Sequence, residues 1–127
     1  MVKVLLVDDS PIVTRMVSSY LSEKGYSVLV ADGPFGVSGK IKEFQPHVVL
    51  MDLNMPGLSG DRLIRLCRER GEALTCRVVL FSSSDEGVMR ALVEGGVAQD
   101  YFVKGGSLGG LEAKIRSQVD ALRRADG

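Results

Sequence analysis

Tryptophan is absent from this 127-residue chain, histidine occurs once, and cysteine occurs twice. With so few imidazoles and thiols, and none at metal-ligand spacing, no zinc site can be assembled. Nor can a disulfide framework form. In a chain without a signal-peptide pattern, Cys67 and Cys76 imply a reducing, cytoplasmic setting, where they act as small apolar fillers. Charge of one sign is also lacking. Sixteen Lys+Arg balance sixteen Asp+Glu, which removes the electrostatic reason to expect direct nucleic-acid binding. No apolar run approaches the roughly 18 residues a membrane span needs, so membrane insertion is excluded. There is no linker, low-complexity segment or charge block. The expectation is one domain over 1–127, large enough to bury a core of its own.

What is present is organised around the stretch His47-Val48-Val49-Leu50-Met51-Asp52-Leu53-Asn54-Met55-Pro56-Gly57. A β-favouring apolar run ends abruptly on a carboxylate, and a Pro-Gly turn follows. Buried parallel strands read as continuous apolar runs of this kind. The same grammar recurs along the chain. Val2–Val7 is a strand leading to Asp8-Asp9, and Ser10-Pro11 then caps a helix that runs to about Lys24 and stops at Gly25. That helix carries an apolar arc of Ile12, Val13, Met16, Val17, Tyr20 and Leu21. The arc is wider than core packing requires, so its edge at Ile12 and Met16 can face a partner. Ser27–Ala31 is a second strand, and a second helix is expected from about Pro34 to Phe44. Gly36 and Gly39 within it make it the least stable helix. The Asp52 strand is third. Ser59 caps a third helix through Arg70, with Leu63, Ile64, Leu66 and Cys67 toward the core. Arg77–Phe81 is a strand ending on Ser82, and a fourth helix spans about Asp85 to Glu94. Asp100–Val103 is a strand ending on Lys104. Ser107 then opens a last helix, with Leu108, Leu111, Ile115, Val119 and Leu122 at amphipathic spacing.

Five strand–helix units in succession predict an α/β fold, a doubly wound, flavodoxin-like parallel sheet flanked by five helices. In strand order 2-1-3-4-5, strands one and three meet at the switch point, and ligands bind beyond their carboxyl ends. Asp8, Asp9 and Asp52 then cluster, joined by Ser82 and Lys104. Three carboxylates in one small site need a counter-charge. Lys104 supplies one, and a hard, oxygen-seeking cation such as Mg²⁺ supplies the rest. A cation with open positions, an ammonium, a hydroxyl and a carboxylate nucleophile are the parts of phosphoryl transfer. Asp52 is the best nucleophile, because the adjacent pair on strand one is better placed to hold metal.

The residues Leu5-Leu6-Val7-Asp8-Asp9-Ser10, Met51-Asp52-Leu53-Asn54-Met55-Pro56-Gly57, Phe81-Ser82 and Tyr101-Phe102-Val103-Lys104 together resemble the receiver domains of two-component response regulators. The resemblance implies that Asp52 is the phospho-acceptor. It implies that Asp8 and Asp9 hold Mg²⁺, with the Asp52 side chain and the Asn54 backbone carbonyl completing the protein ligands. Lys104 would bind the phosphoryl group, Ser82 would be the switch hydroxyl, and Tyr101 the aromatic that follows it. The donor would be a phosphohistidine on a sensor histidine kinase or a histidine phosphotransfer protein, docked against Ile12, Arg15 and Met16. The output would be a downstream effector reading helix four, strand five and helix five.

One departure stands out. Receivers usually follow the lysine with proline, often through a cis bond, whereas here Gly105-Gly106-Ser107 follows. Two other functions share parts of the pattern. A receiver fold used as a phosphorylation-independent interaction module would not need the Asp8, Asp9, Asp52, Ser82 and Lys104 set. A Mg²⁺-dependent aspartyl phosphatase of the haloacid dehalogenase type needs an acid two residues after its nucleophile, and Asp8-Asp9-Ser10 has none there. His47, at the amino end of its strand, is expected to be structural. Arg123-Arg124 reads as a solvated helix end that complements the dipole.

Overall fold

The computed structural model describes residues 1–69, 76–83 and 86–126. Its elements are β1 (Lys3–Val7), α1 (Pro11–Glu23), β2 (Ser27–Ala31), α2 (Val37–Phe44), β3 (Val48–Met51), α3 (Gly60–Glu69), β4 (Arg77–Ser82), α4 (Glu86–Glu94), β5 (Asp100–Val103) and α5 (Leu108–Asp126). The strands form one sheet in the order β2-β1-β3-β4-β5, and every neighbouring pair is parallel. The expected ends of the third helix at Arg70 and the start of the fourth at Asp85 lie outside the described residues.

The continuous apolar runs are explained by burial on both faces. Successive side chains of a strand point to opposite sides. Leu5, Val7, Val49, Met51, Val78 and Leu80 therefore pack on one side, with Leu63, Ile64 and Cys67 of α3 and Met89 of α4. Val4, Leu6, Val48, Leu50, Val79 and Phe81 pack on the other, with Val17 and Leu21 of α1 and Leu111, Ile115 and Val119 of α5. Each such side chain contributes about 1.5–3 kcal/mol of burial, and the rows meet in a fixed register because β1 aligns Leu6 with Leu50. Cys67 and Cys76 are both buried, and neither forms a disulfide. Burial pushes the Cys76 thiol up to about 11, as suits an inert filler.

Caps follow the sequence. Ser10 Oγ accepts from the Val13 N–H at 3.3 Å with Pro11 at the first helical position, and Ser107 Oγ accepts from Gly110 N–H at 3.0 Å. His47 is structural, its Nδ1 accepting the Lys3 N–H at 3.0 Å at the amino edge of the sheet.

Two expectations need correction. Helix α2 begins at Val37, not Pro34, because Gly36 takes a left-handed conformation (φ 80°) and so ends the turn before the helix instead of joining it. At its other end Gln45 is also left-handed (φ 53°), since the following Pro46 disfavours a right-handed helical residue before it. On α3, Leu66 is 37% exposed, because the helical phase that buries Leu63, Ile64 and Cys67 turns it to the flank, about 100° from the centre of the buried face.

Candidate functional site

The carboxyl ends of β1, β3, β4 and β5 bring the expected side chains together. The ladder that holds β1 between β2 and β3 extends past the strands: the Asp8 N–H donates to Ala31 O at 3.0 Å, and the Asp52 N–H to Val7 O at 3.0 Å. Both aspartates are thereby fixed by backbone, side by side at the end of the central pair. Asp8 Oδ1 accepts from the Ser10 N–H at 2.9 Å, a local turn that leads into α1. Asp52 Oδ1 accepts from the Asn54 N–H at 3.1 Å. Asp8 is 1% exposed and Asp52 3%, so these are buried charges that must be matched.

Lys104 matches them. Its N–H donates to Ser82 O at 3.0 Å, extending the β4–β5 pairing. Its ammonium crosses the edge to stand 2.6 Å from Asp8 Oδ2 and 3.4 Å from Asp52 Oδ2. The Phe81 ring lies 5.4 Å from the same ammonium, a second favourable environment for a cation. Ser82 is fully buried, and its Oγ accepts from the Asn54 side-chain amide at 3.1 Å.

Asp8, Asp9 and Asp52 each offer a carboxylate oxygen, and these lie within 4.8 Å of one another. Asp9 is exposed while the other two are buried, so the cluster opens to solvent on the Asp9 side. Asp8 Oδ2 has the charge of Lys104 beside it, but no directed hydrogen bond. A buried oxygen so placed keeps lone-pair capacity for a cation. An all-oxygen set with one open side fits a hard divalent ion.

The response regulator receiver domain family matches residues 4–116. The chain belongs to that family. PilH of Pseudomonas aeruginosa is 30% identical to this receiver domain over 104 residues, 82% of this chain and 86% of PilH. A probable transcriptional regulator of Porphyridium aerugineum is 38% identical over 126 residues, which is 98% of this chain and 49% of that protein. The chain likewise spans about half the length of YcbL of Bacillus subtilis and AruR of Pseudomonas aeruginosa. Among solved structures, a CheY-like receiver domain from Methanospirillum hungatei aligns with TM-score 0.88 at 18% identity, covering 98% of both chains. The BeF3-activated N-terminal receiver domain of Klebsiella pneumoniae RstA aligns with TM-score 0.80 at 27% identity, covering 92% of this chain and 97% of that one.

Within this receiver domain, burial pushes the Asp52 carboxyl above the ordinary aspartate value. The Asn54 N–H and the Lys104 charge pull it down, and neighbouring Asp8 raises it again. Tyr101, on β5, donates its hydroxyl to Glu86 Oε1 of α4 at 2.9 Å. Ile12, Arg15 and Met16 are all exposed on α1, with Ile12 at 79%.

The departure after Lys104 has a physical account. No cis peptide bond occurs among the described residues, and Gly105 takes φ +98°, a value closed to proline. Gly106 and Gly110 then let the loop descend onto the Phe102 ring, since a Cβ at Gly106 would sit 2.7 Å from Phe102 Cζ. The glycines replace a proline-set loop with one that packs on an aromatic, and Lys104 still reaches both aspartates.

Two contributors were not singled out from the sequence. A Cβ on Gly60 would lie 2.3 Å from the Asp52 carbonyl oxygen, so only glycine lets α3 begin against the backbone of the central aspartate. Its signal is a glycine directly after Ser59, the residue expected to cap that helix. The Asn54 side-chain amide is the other, since the role implied for Asn54 by the resemblance belongs to its backbone carbonyl, whereas its amide meets Ser82 Oγ.

Proposed function

We propose that Asp52 is a phospho-acceptor, taking a phosphoryl group from a phosphohistidine and reporting it through a change of surface. The observation that carries this reading is the pairing of Lys104 with Asp8 and Asp52 beside the open acidic cluster. Asp52 is held by backbone, one oxygen against Asn54 N–H, with the ammonium at 3.4 Å from the other. An Asp52 carboxylate oxygen attacks phosphorus, the phosphorus–nitrogen bond breaks, and its electron pair leaves with the donor imidazole. Lys104 stabilises the phosphoryl oxygens as charge shifts onto them. Asp8, Asp9, the Asp52 side chain and the Asn54 backbone carbonyl would hold Mg²⁺, which supplies neutralisation of the same oxygens when bound.

Ser82 Oγ exchanges its present partner, the Asn54 amide, for a phosphoryl oxygen. Tyr101, tethered to Glu86, follows, and the α4–β5–α5 surface changes for a downstream effector. Exposed Ile12, Arg15 and Met16 receive the sensor kinase or histidine phosphotransfer protein in the cytoplasm. No helix among the described residues is long and apolar enough to cross a membrane.

The phosphatase reading has no support at Ser10, whose Oγ is engaged as the α1 cap and offers no acid. The test is incubation with Mg²⁺ and acetyl phosphate, followed by intact mass. A gain of about 80 Da in wild type, absent in Asp52→Ala, is the expected result, as a covalent carboxyl phosphate requires. A wild type that never gains the mass would replace this reading with the phosphorylation-independent module.

A further inference from the structure

The amino edge of the sheet, at the far end of the strands from Asp52, bears a groove of about 260 Å³. It opens between the α1–β2 turn, the residue before β1 and the C-terminal half of α5. Strand β1 has five residues, so roughly 17 Å of chain separate the groove from the acidic cluster. Val2, Tyr26 and Val119 give it an apolar wall, and all three pack with the core beneath. The Tyr26 ring is held in place. Gly25, at φ +95°, makes the turn before it, and the Tyr26 hydroxyl donates to Glu112 Oε2 at 3.1 Å. A ring fixed in this way takes a second aromatic ring against it at little ordering cost.

Charge completes the groove. Lys24, Arg116 and Arg123 line it, with Asp120 as the carboxylate among them. Arg116 is already matched, since Glu112 pairs with it. Lys24, Arg123 and Asp120 enter no ion pair among the described residues. Two cations against one carboxylate leave an excess of one positive charge. Each cation complements the dipole of its own helix end, yet the two converge from different helices on one apolar surface. An apolar wall with a few convergent charges is the build of a small-molecule site. At about 30 Å³ per water, 260 Å³ holds roughly nine waters, room for a fused pair of rings with one carboxylate.

We propose that this groove binds a small planar aromatic monocarboxylate. The ring lies against Tyr26 and Val119, and the carboxylate sits between Lys24 and Arg123. Asp120 selects against ligands of higher negative charge. The site does not depend on Asp52 being phosphorylated.

The test is titration of isotope-labelled protein with 2-naphthoate near neutral pH, read as backbone amide shifts by NMR. Saturable shifts at Gly25, Tyr26, Val119 and Arg123, with Kd below about 1 mM, are the expected result. Acetate has the charge without the ring, and 2-naphthol has the ring without the charge. Each should bind at least about tenfold more weakly than naphthoate. Lys24→Glu and Arg123→Glu should each weaken naphthoate by at least about tenfold, whereas Lys24→Arg should retain it. Both positions are exposed, so these changes leave the core intact. No saturable shift up to about 10 mM overturns the proposal. So do shifts centred elsewhere on the chain, either control binding as tightly as naphthoate, or charge-reversed proteins that bind it as wild type does.

Discussion

The Lys104 ammonium lies 2.6 Å from Asp8 Oδ2, closer than to the Asp52 carboxylate on which the proposed chemistry centres. Among the described residues, the lysine is the cation paired with these two buried aspartates. Replacing it with methionine keeps the apolar stem and removes the charge. Breaking a buried ion pair in this way costs about 3 kcal/mol. Lys104→Met should therefore unfold at lower urea in EDTA and recover part of the loss when Mg²⁺ is added. An unchanged urea midpoint in EDTA would show that Lys104 is not the counter-charge.

Burial raises the Asp52 carboxyl above its ordinary value, so the folded state favours the protonated form. The stability from this preference is fully present below the ordinary aspartate value and is lost as pH rises through the raised one. At neutral pH the ionised carboxylate is thus a cost to the fold. Asp52→Asn removes that cost and keeps the shape. In EDTA its Tm should exceed that of wild type at pH 7, with the gap closing as pH falls through the carboxylate range. A gap that widens toward low pH would reverse the sign and the argument.

Gly60 stands where a Cβ would meet the Asp52 carbonyl oxygen at 2.3 Å and Met51 Cγ at 2.8 Å. The backbone cannot yield as a flexible side chain would. Gly60→Ala should cost about 1–3 kcal/mol despite alanine's better helix propensity. Urea unfolding measures the loss, and acetyl phosphate labelling should slow in the same variant because Asp52 is displaced. A stabilised Gly60→Ala protein would mean that α3 can shift away from β3.

Gly105 holds φ +98°. Gly105→Pro restores the residue that receivers usually carry, yet it forces φ near −65° and should destabilise by more than about 1 kcal/mol. The loop would have to leave the Phe102 ring. Equal or higher stability in urea would show that this chain can adopt the proline-type loop after all.

The alternation of strand and helix, the carboxylates after β1 and β3, and the hydroxyl and ammonium after β4 and β5 were all legible in the sequence. They were legible because each depends on a local rule. An apolar run buried on both faces identifies a strand, a Ser-Pro pair starts a helix, and a parallel sheet puts every strand end on one edge. The start of α2 was not legible, since Pro34 and Gly36 are each compatible with a helix start and only the left-handed Gly36 decides between them. The outward turn of Leu66 was missed because helical phase depends on what the helix packs against.

The sequence by itself determined which groups arrive at the carboxyl edge: Asp8, Asp9, Asp52, Ser82 and Lys104. Tertiary structure alone decided how they divide the work of neutralisation. Lys104 sits nearer Asp8 than Asp52, Asn54 bridges to Ser82, and Gly60 abuts the Asp52 carbonyl. The first two are contacts between strand ends far apart in the chain, set by sheet register, and the third is the fit of the start of α3 against the backbone after β3. No local pattern encodes a distance of that kind.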